Sequence, residues 1–268
     1  MVITINGKRT WKKNPLFRKP VLRWVVLFIV LAYLVIAGRS FTFNWERMIM
    51  GLDRAGRIVR GFLHPDFVSR KSYIIEGILE SLTMTLAASF LSLFLSVVLA
   101  LGAAKNIAAP PVYFFSRLLL MIIRSLHTIV IGIIFVIILG FGPLAGVVTL
   151  MLHSIGFVGK LLAEDIENIK SEPLEAIRAT GASWLQVVVY GVWPQISTRF
   201  IGLSIYRADI NFRQSTVIGI VGAGGIGAVL DTAMGRYDYN TTAAILICII
   251  VLVLIAEYIS SAIRRKIV

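Results

Sequence analysis

Residues 171–194 read SEPLEAIRATGASWLQVVVYGVWP. Their polarity, set between long apolar segments, decides how the rest of the chain is arranged. Ser171 has the side chain of a helix cap, and Glu172 and Pro173 suit a first turn, where a proline costs little. Gly181 can take the left-handed conformation that ends such a helix. Ser183 and Gln186 have capping-box spacing for a second helix running toward Pro194. The reading is two short helices joined at a glycine, a shape suited to docking in a groove of another protein.

The segments on either side are membrane spans. Apolar residues make up 57% of the 268, and mean hydropathy is +0.85. Runs long enough to cross a ~30 Å hydrocarbon core recur along the chain. Six spans are expected, at 21–38, 76–103, 114–140, 143–163, 196–219 and 241–262, giving an all-α polytopic bundle. The formal charge of +13 flanks the spans rather than forming one basic face, and no zinc pattern or aromatic–basic motif accompanies it, which argues against nucleic acid. With Cys248 the sole cysteine, disulfides and thiolate metal sites are excluded as organising features. The basic N-terminus and Arg264-Arg265-Lys266 both belong in the cytoplasm by the positive-inside rule. That puts the 164–195 loop inside, and residues 1–20 become a cytoplasmic basic tail.

Residues 39–75 fall outside yet carry Arg39, Arg47, Arg54, Arg57, Arg60, Arg70 and Lys71. Trp45, Met48, Ile49, Leu52, Val59, Phe62 and Leu63 recur among them near helical spacing. This describes an interfacial helix, lying against the outer leaflet or helping to gather an anionic ligand. In the second span Ala88, Ser92, Ser96, Ala100 and Ala104 form a small-xxx-small row that favours close helix approach.

Gly222, Gly224, Gly225 and Gly227 match GxGxxG, the dinucleotide fingerprint. Their place between two spans fails the strand–helix context which that motif needs. A tight re-entrant turn is expected instead. Ionisable residues inside spans are costly, at least ~2.5 kcal/mol each on insertion scales, and should face the bundle interior or a watery path. Arg124 and His127, one turn apart on the third span, His153 on the fourth, and Arg207 and Arg213 with Ser215 on the fifth, are the candidates for such a path. Arg207 and Asp209 are too close in sequence to share a helix face. Arg199 is expected to be paired, and Glu257 to pair with Arg264 or to snorkel. Glu164, Asp165, Glu167, Glu172 and Glu175 read as a solvated face. No catalytic or metal-binding pattern is present.

The stretches EAIRATGASWLQV (175–187) and STVIGIVGAGGIG (215–227), with GILESLTMTLAAS (77–89) and GPLAGVVTLMLHSIGFVGKLLAE (142–164), resemble the permease subunits of phosphonate-type ABC importers, within the binding-protein-dependent transport inner-membrane component family. The similarity covers roughly 75–265, so 76–265 would be the permease domain and 21–75 a variable first span with the basic segment. The resemblance implies a type I importer permease that dimerises with itself or a sister permease in the bacterial inner membrane. It implies cytoplasmic ATPase subunits docked on the loop through Glu175, Ala176, Ile177, Gly181, Ala182 and Pro194, with ATP and Mg on those subunits and no cofactor on this chain. Ile177 stands where the general pattern has alanine. A binding protein would deliver substrate at the outer face, and transport would be alternating access. The expected cargo is a phosphonate, phosphite or hypophosphite anion. The alternatives are another small solute such as methionine, or proton-coupled secondary transport.

Overall fold

The computed structural model describes residues 2–5, 8–11, 20–40 and 45–267. Lys12, Lys13, Arg18 and Lys19 of the basic tail lie outside these residues. Chain contacts divide the molecule into Met1–Ala55 and Gly56–Val268. The first unit holds an antiparallel hairpin, β1 (Val2–Ile5) and β2 (Lys8–Trp11), with Val2 opposite Trp11. It also holds α1 (Pro20–Ser40), an evenly apolar helix, and the start of α2 (Trp45–Leu63), an amphipathic helix. Every element from Trp45 to Ile267 is a helix.

In the second unit the spine is α3 (Lys71–Gly102) packed along α6 (Pro143–Glu167). The small-residue row does what its spacing predicts: Ala88, Ser92, Ser96, Ala100 and Ala104 are all fully buried. Glycines answer from the other side. A Cβ on Gly159 would sit 2.9 Å from Leu120 Cδ2 and 3.7 Å from Ser96 O.

Four helices are long and apolar enough to cross a membrane, starting at Val21, Lys71, Pro143 and Tyr239. Two bent pairs pass the same test together, so the six expected segments are present but two are broken. The third, expected as one helix over 114–140, is α4 (Pro110–Ser125) and α5 (Thr128–Leu139), bent by 93°. Neither Gly nor Pro marks the break. Instead Ser125 Oγ donates back to Ile122 O at 2.8 Å and His127 Nδ1 accepts from Ile129 N–H at 3.3 Å. The run Thr128-Ile129-Val130-Ile131 that follows is β-branched and loses rotamer freedom in a continuing helix. Arg124 and His127 are therefore not neighbours on one helix; one ends α4 and the other caps α5.

The fifth span departs from expectation at both ends. After α7 (Ser171–Ala179) the chain re-enters helix at α8 (Trp184–Gln186) and continues through a π-helical turn, Val187–Val192, into α9 (Trp193–Ile218). The second loop helix thus does not stop at Pro194. A proline lacks an N–H and its ring crowds the carbonyl four residues back; the wider π turn accommodates it, and Gln195 Nε2 occupies Gly191 O at 2.8 Å. Ser171 is the first helical residue, with Lys170 as the cap.

At the C-terminal end of α9 a second π-helical turn, Gly219–Ala223, breaks at Val221 and Gly222 before α10 (Gly225–Gly235), 55° off axis. Gly222, Gly224 and Gly225 have φ of 96°, 81° and 72°, a region L side chains rarely adopt. Ser81 Oγ accepts the Ile226 N–H at 2.9 Å, which satisfies part of the turn. The bundle closes with α11 (Tyr239–Ile267).

The packing of this turn gives a direct test. A Cβ on Gly227 would meet the Thr216 carbonyl and lie 2.9 Å from Gly219 Cα, whereas one on Gly235 meets nothing within 4 Å. Gly227→Ala should lower the detergent-solubilised thermal midpoint through about 1–3 kcal/mol of overpacking. Gly235→Ala should leave it unchanged.

Candidate functional site

Two regions concentrate the predicted residues. In the loop, Leu174 is buried among Val187, Val188, Val192 and Ile196, with Ile177 and Ala182 packed against that cluster. Ile177 therefore faces the loop's own core, 3.2 Å from where a Gly191 Cβ would lie. Glu175, Ala176 and Pro194 are exposed. Gly181 takes φ +79°, and Ser183 N–H donates to Gln186 Oε1 at 2.7 Å, as the motif requires. The exposed edge is Glu175, Ala176, Ala179, Gly181, Trp184 and Leu185.

The acidic residues at the loop's base are braces rather than a solvated face. Glu167 binds Arg117 at 2.6 Å and accepts Lys105 N–H at 2.8 Å. Arg117 Nε also donates to Ala103 O at 2.9 Å. Asp165 holds Arg199 at 2.7 Å. Trp184 Nε1 and Arg178 Nη2 donate to the carbonyls of Ile107 and Asn106, both at 3.3 Å. The loop is tied by these bonds to the α3–α4 turn and the end of α6.

The second region lies midway along the spans. Arg207 is only 2% exposed. Its Nε donates to Ser154 Oγ at 2.8 Å, and its Nη2 donates to His153 Nδ1 at 2.7 Å and Gln214 Oε1 at 3.2 Å. Among the described residues no carboxylate pairs with it. Ser154 Oγ lies 2.9 Å from Asn211 Oδ1, and Asn211 Nδ2 donates to Ser89 Oγ at 3.0 Å. The row joins α3, α6 and α9 through buried polar side chains. Phe157 stacks between two guanidiniums, 5.3 Å from Arg207 and 6.0 Å from Arg124. Arg124 and His127 are exposed at the α4–α5 break.

Arg213 faces elsewhere. It binds Asp209 at 2.8 Å and Glu257 at 3.4 Å. Glu257 thus pairs with α9, and Arg264 stacks on Tyr206 at 5.7 Å instead of pairing with it. Ser215 Oγ turns back to Phe212 O at 2.7 Å.

Residues 92–268 match the binding-protein-dependent transport system inner membrane component family. The chain belongs to that family. It is a multi-pass transport subunit and not an enzyme, and the family implies a partner ATPase and a binding protein. The phosphite transport system permease protein PtxC of Stutzerimonas stutzeri is 40% identical over 219 residues, 81% of this chain and 79% of that one. The phosphate-import permease protein PhnE of Mycolicibacterium smegmatis is 33% identical over 76% of this chain and 38% of that longer protein. The inward-facing MetNI methionine ABC transporter shares the fold: TM-score 0.63 at 22% identity, over 75% of this chain and all of the matched one.

Within this permease the structure gathers Arg207 with His153, and Arg124 through Phe157. It places Arg213 and Ser215 on other contacts. Sequence reasoning missed Ser154, Asn211 and Phe157. For Asn211 the available signal was spacing on α9, where Arg207, Asn211, Gln214 and Ser215 share one helical face while Asp209 and Arg213 share another.

The Asp209–Arg213 pair is open to measurement. Arg213→Gln should lower thermal stability by about 1–3 kcal/mol, because it leaves a buried carboxylate without its cation. Adding Asp209→Asn should recover more than half of that loss.

Proposed function

We propose that the chain is the permease subunit of an ATP-driven importer for a phosphorus oxyanion, either phosphite or a phosphonate. The observation that carries the reading is Arg207. A guanidinium buried at mid-bundle is stable when its donors are met and its charge is balanced. Here Ser154, His153 and Gln214 meet its donors with neutral groups, so the charge remains available to a passing anion. Nη1 has no acceptor among the described residues, which leaves its N–H groups to donate charge-assisted hydrogen bonds to an anion oxygen. Arg124, exposed at the α4–α5 break beside His127, extends the positive field, and a permeant anion is drawn toward it. The identities of the two transport relatives point the same way.

In this reading two permease copies, or this chain with a sister, enclose the pathway. Cytoplasmic ATPase subunits that carry ATP and Mg seat on the edge formed by Glu175, Ala176, Gly181 and Trp184. A binding protein delivers the anion at the outer face beside the glycine turn. Both termini lie in the cytoplasm, and the membrane is the bacterial inner one. Arg213 serves the α9–α11 contact rather than the anion.

Two measurements test this. Arg207→Gln should reduce uptake of sub-saturating phosphite or phosphonate by tenfold or more, consistent with about 1.5–3 kcal/mol for a hydrogen bond to a charged group. ATPase copurification should be unchanged in that variant; uptake at the wild-type level would overturn the anion site. Gly181→Pro, which removes an N–H bonded to Arg178 O at 3.0 Å and forbids the positive φ, should abolish ATPase copurification from native membranes while the chain still inserts.

A further inference from the structure

We infer that α2 is a lipid-binding helix, lying flat in the outer leaflet with its apolar arc among the acyl chains and its arginines at the headgroups. The inference rests on the outward placement of residues 39–75 in the proposed topology. Helix geometry sorts most of the sequence: Met48, Ile49, Leu52, Val59 and Leu63 fall on one arc, while Arg54 and Arg57 fall opposite with Glu46 and Asp53, Met50 and Ile58 lie among the charged residues, and Arg60 lies at the border. The apolar arc is exposed: Leu52 is 68% and Leu63 71% accessible.

This helix cannot cross the membrane. Six of its 19 residues are charged, and it is absent from the spans long and apolar enough to do so. Yet it follows one span and precedes another, so it remains at the bilayer surface. Its C-terminal end is fixed there. A Cβ on Gly61 would approach Tyr239, 3.0 Å from its carbonyl carbon. The following segment binds the α10–α11 turn through Asp66 N–H to Asn240 O at 3.1 Å and Arg70 to Asp238 at 3.3 Å. That turn marks the end of the last span. Gly61 belongs to the polar side of the helix, so at this end the polar side touches protein, while Val59 and Leu63 on the apolar arc stay exposed.

Lipid fits that arc in two ways. Large apolar side chains flanked by arginines are the pattern of helices that bury ~5–10 Å into the headgroup–acyl boundary. Four arginines against two acids leave the helix at net +2, which favours anionic headgroups. Long arginine stems also let the charge stay in the headgroups while the carbons cover apolar surface.

The experiment uses the complete importer with Cys248→Ser as background and single changes Leu52→Cys, Val59→Cys, Arg54→Cys and Arg57→Cys. A membrane-impermeant maleimide is applied to intact spheroplasts with the binding protein washed away, and uptake is measured in parallel. Sites 54 and 57 should react at least tenfold faster than 52 and 59. Bimane at Leu52→Cys should be quenched by doxyl-labelled lipid, more strongly in vesicles containing phosphatidylglycerol than in phosphatidylcholine alone. Equal reaction at all four sites would overturn the lipid-facing arc. So would protection of 52 and 59 that appears only on adding binding protein, because a protein would then be the occupant. Reaction at 54 and 57 only in inside-out vesicles would overturn the outer placement, and it is distinguishable because the 52/59 contrast would survive.

Discussion

A buried guanidinium without a counter-carboxylate constrains this fold more than any other group. Arg207 sits where water is scarce, and its bonds to Ser154 and His153 commit α6 to one register against α9. Nε requires Ser154, Nη2 requires His153 and Gln214. Asn211 then ties Ser154 to Ser89 on α3. Three helices are thereby locked at one level by polar contacts, where small residues alone would allow them to slide. The close α3–α6 approach supplies the packing; the polar row sets the register.

The same requirement explains where the chain is allowed to break. Non-helical backbone at membrane depth is tolerated only where protein or a water-filled cavity receives the freed groups. At Leu126–His127 the imidazole accepts the Ile129 N–H. At the glycine turn Ser81 accepts the Ile226 N–H, and Gly142 N–H donates to Gly222 O at 3.0 Å. The chain passes the proline at 194 in a π turn, beside which Gln195 Nε2 donates to Gly191 O. Each irregularity has a side chain or a strand of neighbouring backbone assigned to it.

Much of this was legible in the sequence because it depends on short-range chemistry. The helix end at Gly181, the Ser183–Gln186 cap, the glycine break and the small-residue row all follow from backbone sterics and spacing. The bend at 126–127 was not legible, since its cause is a capping histidine and a β-branched run rather than Gly or Pro. Arg213 was likewise grouped with Arg207 because both are cations on one span. Six residues apart, they point to different faces, and only the face opposite each decides its partner. Arg213 meets Asp209 and Glu257, while Arg207 meets neutral donors and acceptors. The acids at 165 and 167 looked solvated because their partners, Arg199 and Arg117, are distant in sequence.

The continuity of the second loop helix with α9 bears on how the two functional regions communicate. Two separate loop helices would make a docking element that can rock without disturbing the spans. Here backbone helix runs unbroken from Trp184 through the π turn to Arg207. A push on the exposed edge at Trp184 is carried along that rod for about 1.5 Å per residue, and at its far end the rod holds the guanidinium itself. The loop's ties to Asn106 and Ile107, and the bonds of Glu167 to Arg117 and Lys105, make α3, α4 and α6 share the load. Movement of α9 against α6 would strain the Arg207–Ser154 and Arg207–His153 bonds directly. In the proposed importer, docking and anion affinity are then coupled through one helix, because the same displacement that reorients the loop alters the groups that hold the arginine.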